Sequence, residues 1–185
     1  MMVPPSLIME GGTALAAGAL GGMMFVAGVA KLRKHDDFLS VVASYRLLPA
    51  FMLESFAWGL ALCEMVAGIL LLSGVGRVGG GLLSAGLFAV FSLAMGMNVA
   101  RGRTSLSCGC MPGLAGEALS WGLVARTALL MPLALVAAGL PGLALGSGLE
   151  GISLPVWGAG CAAGLAVWVI WLALGSLPQN EGLEA

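Results

Sequence analysis

The chain has 185 residues, 59% of them hydrophobic and only 9% charged, and its mean hydropathy is +1.03; soluble domains carry roughly 25% charged residues, so water is excluded as the main solvent. A net charge of −1 supplies no cluster of Lys and Arg to neutralise phosphates, which excludes a nucleic-acid partner. A bilayer core about 30 Å thick is crossed by roughly 20 apolar residues, so this length holds five or six spans and no soluble domain.

The first apolar stretch, about 11–32, has Glu10 before it and Lys31, Arg33 and Lys34 at its end. A cleaved signal carries its positive charge ahead of the apolar run, so this stretch is expected to persist as a helix. Next, Phe38, Val41, Val42, Tyr45 and Leu48 recur at helical spacing beside polar His35, Asp36, Asp37, Ser44 and Arg46. That pattern predicts an amphipathic helix lying in the membrane interface, ended by Pro49, which lacks an amide hydrogen.

Further apolar stretches follow at about 52–73, 78–99, 118–140 and 153–175, and a polar tail occupies 178–185. The expected fold class is an all-α integral membrane protein. It is a single domain over 1–177, a bundle of about five transmembrane helices with the interfacial amphipathic helix between the first two. The 30 glycines show no three-residue period. Gly18/Gly22, Gly76/Gly80 and Gly160/Gly164 have the spacing that lets helix backbones approach closely in lipid.

The chain changes character between about Ala100 and Glu117, where Arg101, Gly102 and Arg103 precede Ser107-Cys108-Gly109-Cys110-Met111-Pro112-Gly113. Two thiols separated by one glycine can reach each other, and the small ring they would close is of the strained, labile kind used catalytically. The pair precedes the fourth span, where free amide hydrogens and the helix dipole favour a thiolate, with Arg101 and Arg103 nearby. A thiolate serves either disulfide exchange or soft-metal binding. Cys63 and Cys161 lie inside spans among apolar neighbours and are expected to be packing residues.

Glu64, near the middle of the second span, needs a partner in hydrocarbon, and Arg126, about two turns into the fourth span, is the expected one. The pair would either lock helices together or handle protons or quinone. Asn98, Tyr45 and Arg46 can supply interfacial hydrogen bonds. His35 is the single histidine, which rules out a multi-histidine metal or haem site.

Orientation is argued in two directions. Lys31, Arg33, Lys34, Arg46, Arg101 and Arg103 border the two connections on the cysteine side, against Arg77 on the other, and the positive-inside rule assigns the richer side to the cytoplasm. Disulfide chemistry assigns the cysteines to the outside, where thiols are not held reduced. The expected location is a bacterial inner membrane, multi-pass, with the redox site on the periplasmic or extracellular face.

Phe25-x-x-Gly28-x-x-Lys31-Leu32, Tyr45-Arg46-Leu47-Leu48-Pro49, Glu64-x-x-x-Gly68-x-x-Leu71-Leu72, Asn98-x-x-Arg101-Gly102-Arg103 before Cys108-Gly109-Cys110, and Leu123-Val124-x-Arg126 together resemble, in order and spacing, the MauE family of methylamine-utilisation membrane proteins. That family is related to DoxX-like proteins, and the resemblance covers about residues 20 to 135. It implies a role in periplasmic disulfide formation alongside a thioredoxin-fold MauD-like partner, during maturation of methylamine dehydrogenase. A distant similarity to vitamin K epoxide reductase implies coupling to a membrane quinone. Ser107 and Met111-Pro112-Gly113 depart from the acidic residue and Phe-Gly expected around the pair.

The leading expectation is a membrane thiol-disulfide oxidoreductase with Cys108 and Cys110 as catalytic residues and Arg101, Arg103, Asn98, Glu64, Arg126 and Tyr45 in support. A soft-metal (copper, mercury or zinc) carrier is the alternative, since thiolates and the 11 methionines suit such ions. A non-catalytic subunit that docks a soluble redox protein is the third.

Overall fold

A computed structural model describes residues 5–108, 118–139 and 154–175. Among these there are six helices: α1 (Pro5–Arg33), α2 (His35–Ser44), α3 (Ala50–Ser73), α4 (Arg77–Ala100), α5 (Trp121–Ala137) and α6 (Leu154–Gly175). Three are long and apolar enough to cross a membrane, over Glu10–Arg33, Ala50–Ser73 and Arg77–Ala100; Trp121–Ala137 and Leu154–Ile170 are shorter apolar helices. The expected tail, residues 178–185, lies outside the described residues, as do Gly109 and Cys110.

The helices stop where their sequences dictate. Pro49 stands at the N-cap of α3 with an extended backbone, and Gly74, at φ 73°, ends that helix in the left-handed conformation that glycine adopts without a Cβ penalty. The fourth apolar stretch starts its helix three residues later than its hydropathy suggests, because Ser120 caps α5 by accepting a 3.2 Å bond from the Leu123 amide. Pro132 inside α5 gives no amide bond to the preceding turn.

Packing follows a ring. Helix α1 packs on α3, α3 on α4, α4 on α5, and α5 returns to α1; α6 lies outside this ring against α1. The inner surfaces are made of small residues, with Ala14, Ala17, Ala57, Ala61, Ala67, Ala134 and Ala137 all fully enclosed, while Leu93, Leu129, Val169 and Ile170 face outward. An apolar exterior around an interior of small side chains is the pattern of helices that associate by close packing in lipid rather than by escaping water.

Glycines set the closest approaches. A Cβ at Gly68 would stand 2.7 Å from the Gly21 carbonyl oxygen, and one at Gly28 would stand 2.8 Å from that of Ala61. Gly160 and Gly164 meet Ala14, Leu15 and Ala19, so the small-residue spacing noted in the sequence marks the α1/α6 contact. The indole of Trp157 donates to the Leu72 carbonyl at 3.3 Å, which ties α6 to the end of α3.

Between the last turn of α1 and the middle of α3 lies an ion pair that corrects the sequence reading. Glu64 is bound by Lys31, not by Arg126: the Lys31 ammonium lies 2.8 and 2.7 Å from the two carboxylate oxygens, and the side chains are 0% and 2% exposed. Arg126 is on the exposed side of α5. The ammonium also lies 5.3 Å from the Phe38 ring and 5.7 Å from the Phe91 ring, within cation–π range. Glycine explains the choice. Gly28, one turn before Lys31, lets α1 press against Ala61 and Met65 of α3, which places the lysine stem opposite Glu64.

Removing one partner of an enclosed pair strands a charge and costs about 3–5 kcal/mol, whereas replacing both by apolar residues is often neutral. The expected outcome is that Lys31→Met and Glu64→Leu each lower the thermal midpoint in detergent sharply, and that the double variant recovers most of the loss. Additive losses in the double variant would show that the pair is not a unit.

Candidate functional site at the cysteine end

The C-terminal ends of α2 and α4 and the N-terminal end of α5 converge on the segment that carries Cys108. The frame starts at the last turn of α4. Asn98, fully enclosed, donates through Nδ2 to the Ala94 carbonyl at 3.0 Å and accepts through Oδ1 from Arg103 Nη1 at 2.9 Å. Between them Gly102, at φ 73°, turns the chain back so that the Arg103 amide also donates to the Asn98 carbonyl at 2.9 Å. The left-handed turn needs a residue without Cβ, which is why the glycine stands between two arginines.

The Arg103 guanidinium then crosses to α2, donating to the carbonyls of Ser44 at 2.6 Å and Tyr45 at 3.2 Å. The last carbonyls of a helix have no partner within it and carry the negative end of its dipole. A fixed cationic fork satisfies both needs at once. Tyr45, 8% exposed, completes the circuit: its hydroxyl hydrogen is shared between the carbonyls of Ser107 at 3.2 Å and Cys108 at 3.3 Å. Helix α2 is held at its other end by His35, whose ring stacks on Trp58 of α3 at 4.4 Å and shares a 3.2 Å contact with Glu54.

The segment is also clasped at its base. Ser107 and Ala118 form an isolated antiparallel bridge, and the Leu119 amide donates to the Leu106 carbonyl at 3.1 Å. Beneath it Tyr45, Met95, Val99 and Leu119 form an apolar floor, against which half-buried Cys108, Leu106 and Leu123 pack. Phe91 belongs both to this floor and to the main core, and it also lies beside Lys31.

Of the side chains singled out in the sequence, the structure brings Tyr45, Asn98, Arg103 and Cys108 into one network. Arg101 caps α4 at the exposed edge of that network. Arg126 lines an open depression of about 390 Å³ with Ala118, Ser120, Gly122 and Leu123, beside the base of the cysteine segment. Glu64 is not part of this site. Cys161 is buried and directs its sulfur toward the Ala14 carbonyl at 3.6 Å, and Cys63 packs against the main core, so both are packing residues. Among the described residues no cluster of three or more His, Cys, Asp or Glu side chains is assembled.

Ser44, whose carbonyl receives Arg103, and Lys31 were not foreseen as partners. For Lys31 the signal was present, since Phe25, Gly28 and Lys31 recur at three-residue spacing and share a helix face. For Ser44 there was none, because a main-chain carbonyl leaves no trace in residue type.

A helical protein with apolar helices of spanning length, holding a cysteine in a clasped segment at one end, is the class this arrangement defines. The model of the family described as methylamine utilisation protein MauE matches residues 9–140, and the chain belongs to that family. It is 34% identical to the methylamine utilization protein MauE of Paracoccus denitrificans over 153 residues, 82% of this chain and 79% of that protein. It is 35% identical to the one from Methylorubrum extorquens over 150 residues, 75% of this chain and 80% of that protein. Identity reaches 44% with the MauE of Methylophilus methylotrophus over 89 residues, 48% of this chain and about half (47%) of the relative's length. No solved structure matches the chain.

In a chain whose other cysteines are replaced, Tyr45→Phe is expected to free the carbonyls of Ser107 and Cys108 and to speed maleimide labelling of Cys108 by roughly fivefold, the equivalent of one hydrogen bond of about 1 kcal/mol. Arg103→Gln should do at least as much, and Arg103→Lys should fail to rescue, since a single ammonium nitrogen lacks the spread of Nη1 and Nη2 that reaches Asn98 and both α2 carbonyls. Unchanged labelling in both Tyr45→Phe and Arg103→Gln would show that the network does not hold the cysteine.

Proposed function

We propose that this protein is a five-span thiol-disulfide exchange protein of a bacterial inner membrane, in which α1, α3, α4, α5 and α6 cross the bilayer, α2 lies along its surface, and Cys108 and Cys110 do the chemistry. The observation that carries the reading is the attention given to one short segment: a tyrosine hydroxyl bonds the carbonyls of Ser107 and Cys108, a backbone clasp joins Ser107 to Ala118, and an arginine fork fixes the end of α2 that carries the tyrosine. A packing cysteine needs only apolar neighbours, as Cys161 has. A cysteine held at the boundary of the bundle by polar bonds suits a sulfur that must be presented to another molecule.

The exchange is a pair of displacements. One cysteine thiolate attacks a disulfide sulfur of the partner, forming a mixed disulfide and expelling the partner's second sulfur as thiolate. The other cysteine then attacks the mixed disulfide, closing the Cys108–Cys110 bond and releasing the partner as a dithiol. Two electrons pass from the pair to the partner, and the reverse sequence oxidises the partner instead.

Membership of the MauE family supports a partner of the thioredoxin fold, MauD-like, and a role in maturing a disulfide-rich methylamine dehydrogenase. We place the cysteine end on the periplasmic side, where thiols are not held reduced. Replacing either cysteine by serine in the full-length protein is expected to trap the partner as a disulfide-linked adduct, visible on non-reducing gels and lost on reduction. Full methylamine-dependent function in the Cys108→Ser/Cys110→Ser double variant would reject thiol exchange.

A further inference from the structure

Among the described residues Arg46 is the one non-glycine at positive φ, 51°. It follows the C-cap of α2, a position where glycine or asparagine is usual because an L side chain there costs roughly 1–2 kcal/mol. Its side chain is exposed and, among the described residues, takes part in no hydrogen bond or ion pair. The helix dipole returns only about 0.3–1 kcal/mol to an exposed cation at a C-terminus, less than that backbone costs, so the charge itself is the feature to explain.

Arg101 is its counterpart across the cysteine segment, at the C-cap of α4. It too is exposed and, among the described residues, unpaired. The chain at both positions is tied to the cysteine segment by the same bonds. Tyr45, immediately before Arg46, holds the Cys108 carbonyl, and Arg103, two residues after Arg101, holds the Tyr45 carbonyl. Among the described residues the acidic side chains sit elsewhere: Asp36 and Asp37 are in the first turn of α2, Glu54 is against His35, and Glu64 is held by Lys31. Ten residues of helix, about 15 Å, separate that end of α2 from the arginine end.

We propose that Arg46 and Arg101 form a basic collar beside Cys108 that recruits an acidic protein surface surrounding the partner's cysteine; this rests on the thiol-exchange reading above. Lipid phosphates would be met equally well by Arg33 and Lys34, which are also exposed and need no special register. Backbone anchored to the cysteine segment on two sides serves an occupant that must bring its own sulfur to that point. Charges of this kind act mainly on encounter rate and are screened by salt.

The test uses the reduced full-length protein in nanodiscs of neutral phosphatidylcholine. Two synthetic peptides serve as probes, each with its cysteine in a mixed disulfide with thionitrobenzoate, one flanked by aspartates and the other by lysines. The protein thiolate attacks the peptide sulfur, one S–S bond forms as another breaks, and coloured thionitrobenzoate leaves with the electron pair. The acidic peptide is expected to react about tenfold faster than the basic one at low salt, within the range of electrostatic steering. The ratio should collapse in about 0.5 M salt, and it should fall to within about twofold in Arg46→Gly/Arg101→Gln, in which the glycine keeps the left-handed backbone.

Equal rates for the two peptides, or an undiminished ratio in the double variant, overturn the collar while leaving thiol exchange standing. Anionic phospholipid retained by the wild type and lost from the double variant, with no peptide preference, would make the arginines a headgroup site and overturn it as well. Release from neither peptide, with Cys108 shown to be reduced, removes thiol exchange and the collar together.

Discussion

An ammonium or a carboxylate alone in the middle of an apolar bundle is too costly to persist, and the two tolerate one another's burial only at bonding distance. Lys31 and Glu64 meet that condition at 2.7–2.8 Å, which makes the register of α1 on α3 close to all-or-none. A slip of one residue on either helix would swing one charge out of reach of the other. Since α1 runs into α2 after Lys34, and α2 ends at Tyr45, the pair also determines where the tyrosine hydroxyl arrives. Phe38 and Phe91 extend the same constraint, for each lies beside the ammonium and Phe91 reaches the floor under Cys108 as well.

The cysteine end is built on a different principle. There the chain is polar, and its backbone groups are satisfied one by one by side chains from other elements. Arg103 gathers the exposed carbonyls at the end of α2, Asn98 aims Arg103, and Tyr45 returns the favour to the carbonyls of Ser107 and Cys108. Each contact is worth about 1 kcal/mol by itself, and more where the donor is charged. Together they hold an otherwise irregular segment to two helices, giving the sulfur a defined position on a rigid support.

Much of this was legible in the residues. Five apolar stretches became five helices because length and hydropathy suffice to specify a helix in lipid, where the backbone must satisfy itself. The helix between the first two stretches followed from the spacing of Phe38, Val41, Val42 and Tyr45. Tyr45, Asn98, Arg101 and Arg103 stood out because polar residues at the ends of apolar runs are few. The partner of Glu64 was not legible, because Lys31 resembles an ordinary flanking charge until one sees that α1 and α3 touch through Gly28 and Gly68. Which charges pair depends on which helices are neighbours, and hydropathy does not record adjacency. The forked contact of Arg103 with α2 was hidden for a related reason: its acceptors are main-chain carbonyls.

The clasp between Ser107 and Ala118 separates two jobs that are often entangled. Because the two passes of the chain are joined at that point, with Leu106 and Leu119 bonded just below, the ends of α4 and α5 are tied to each other by main-chain bonds that do not depend on side-chain identity. Ser107, at the junction itself, contributes only main-chain groups to these bonds, so its side chain is open to replacement with little penalty for the bundle.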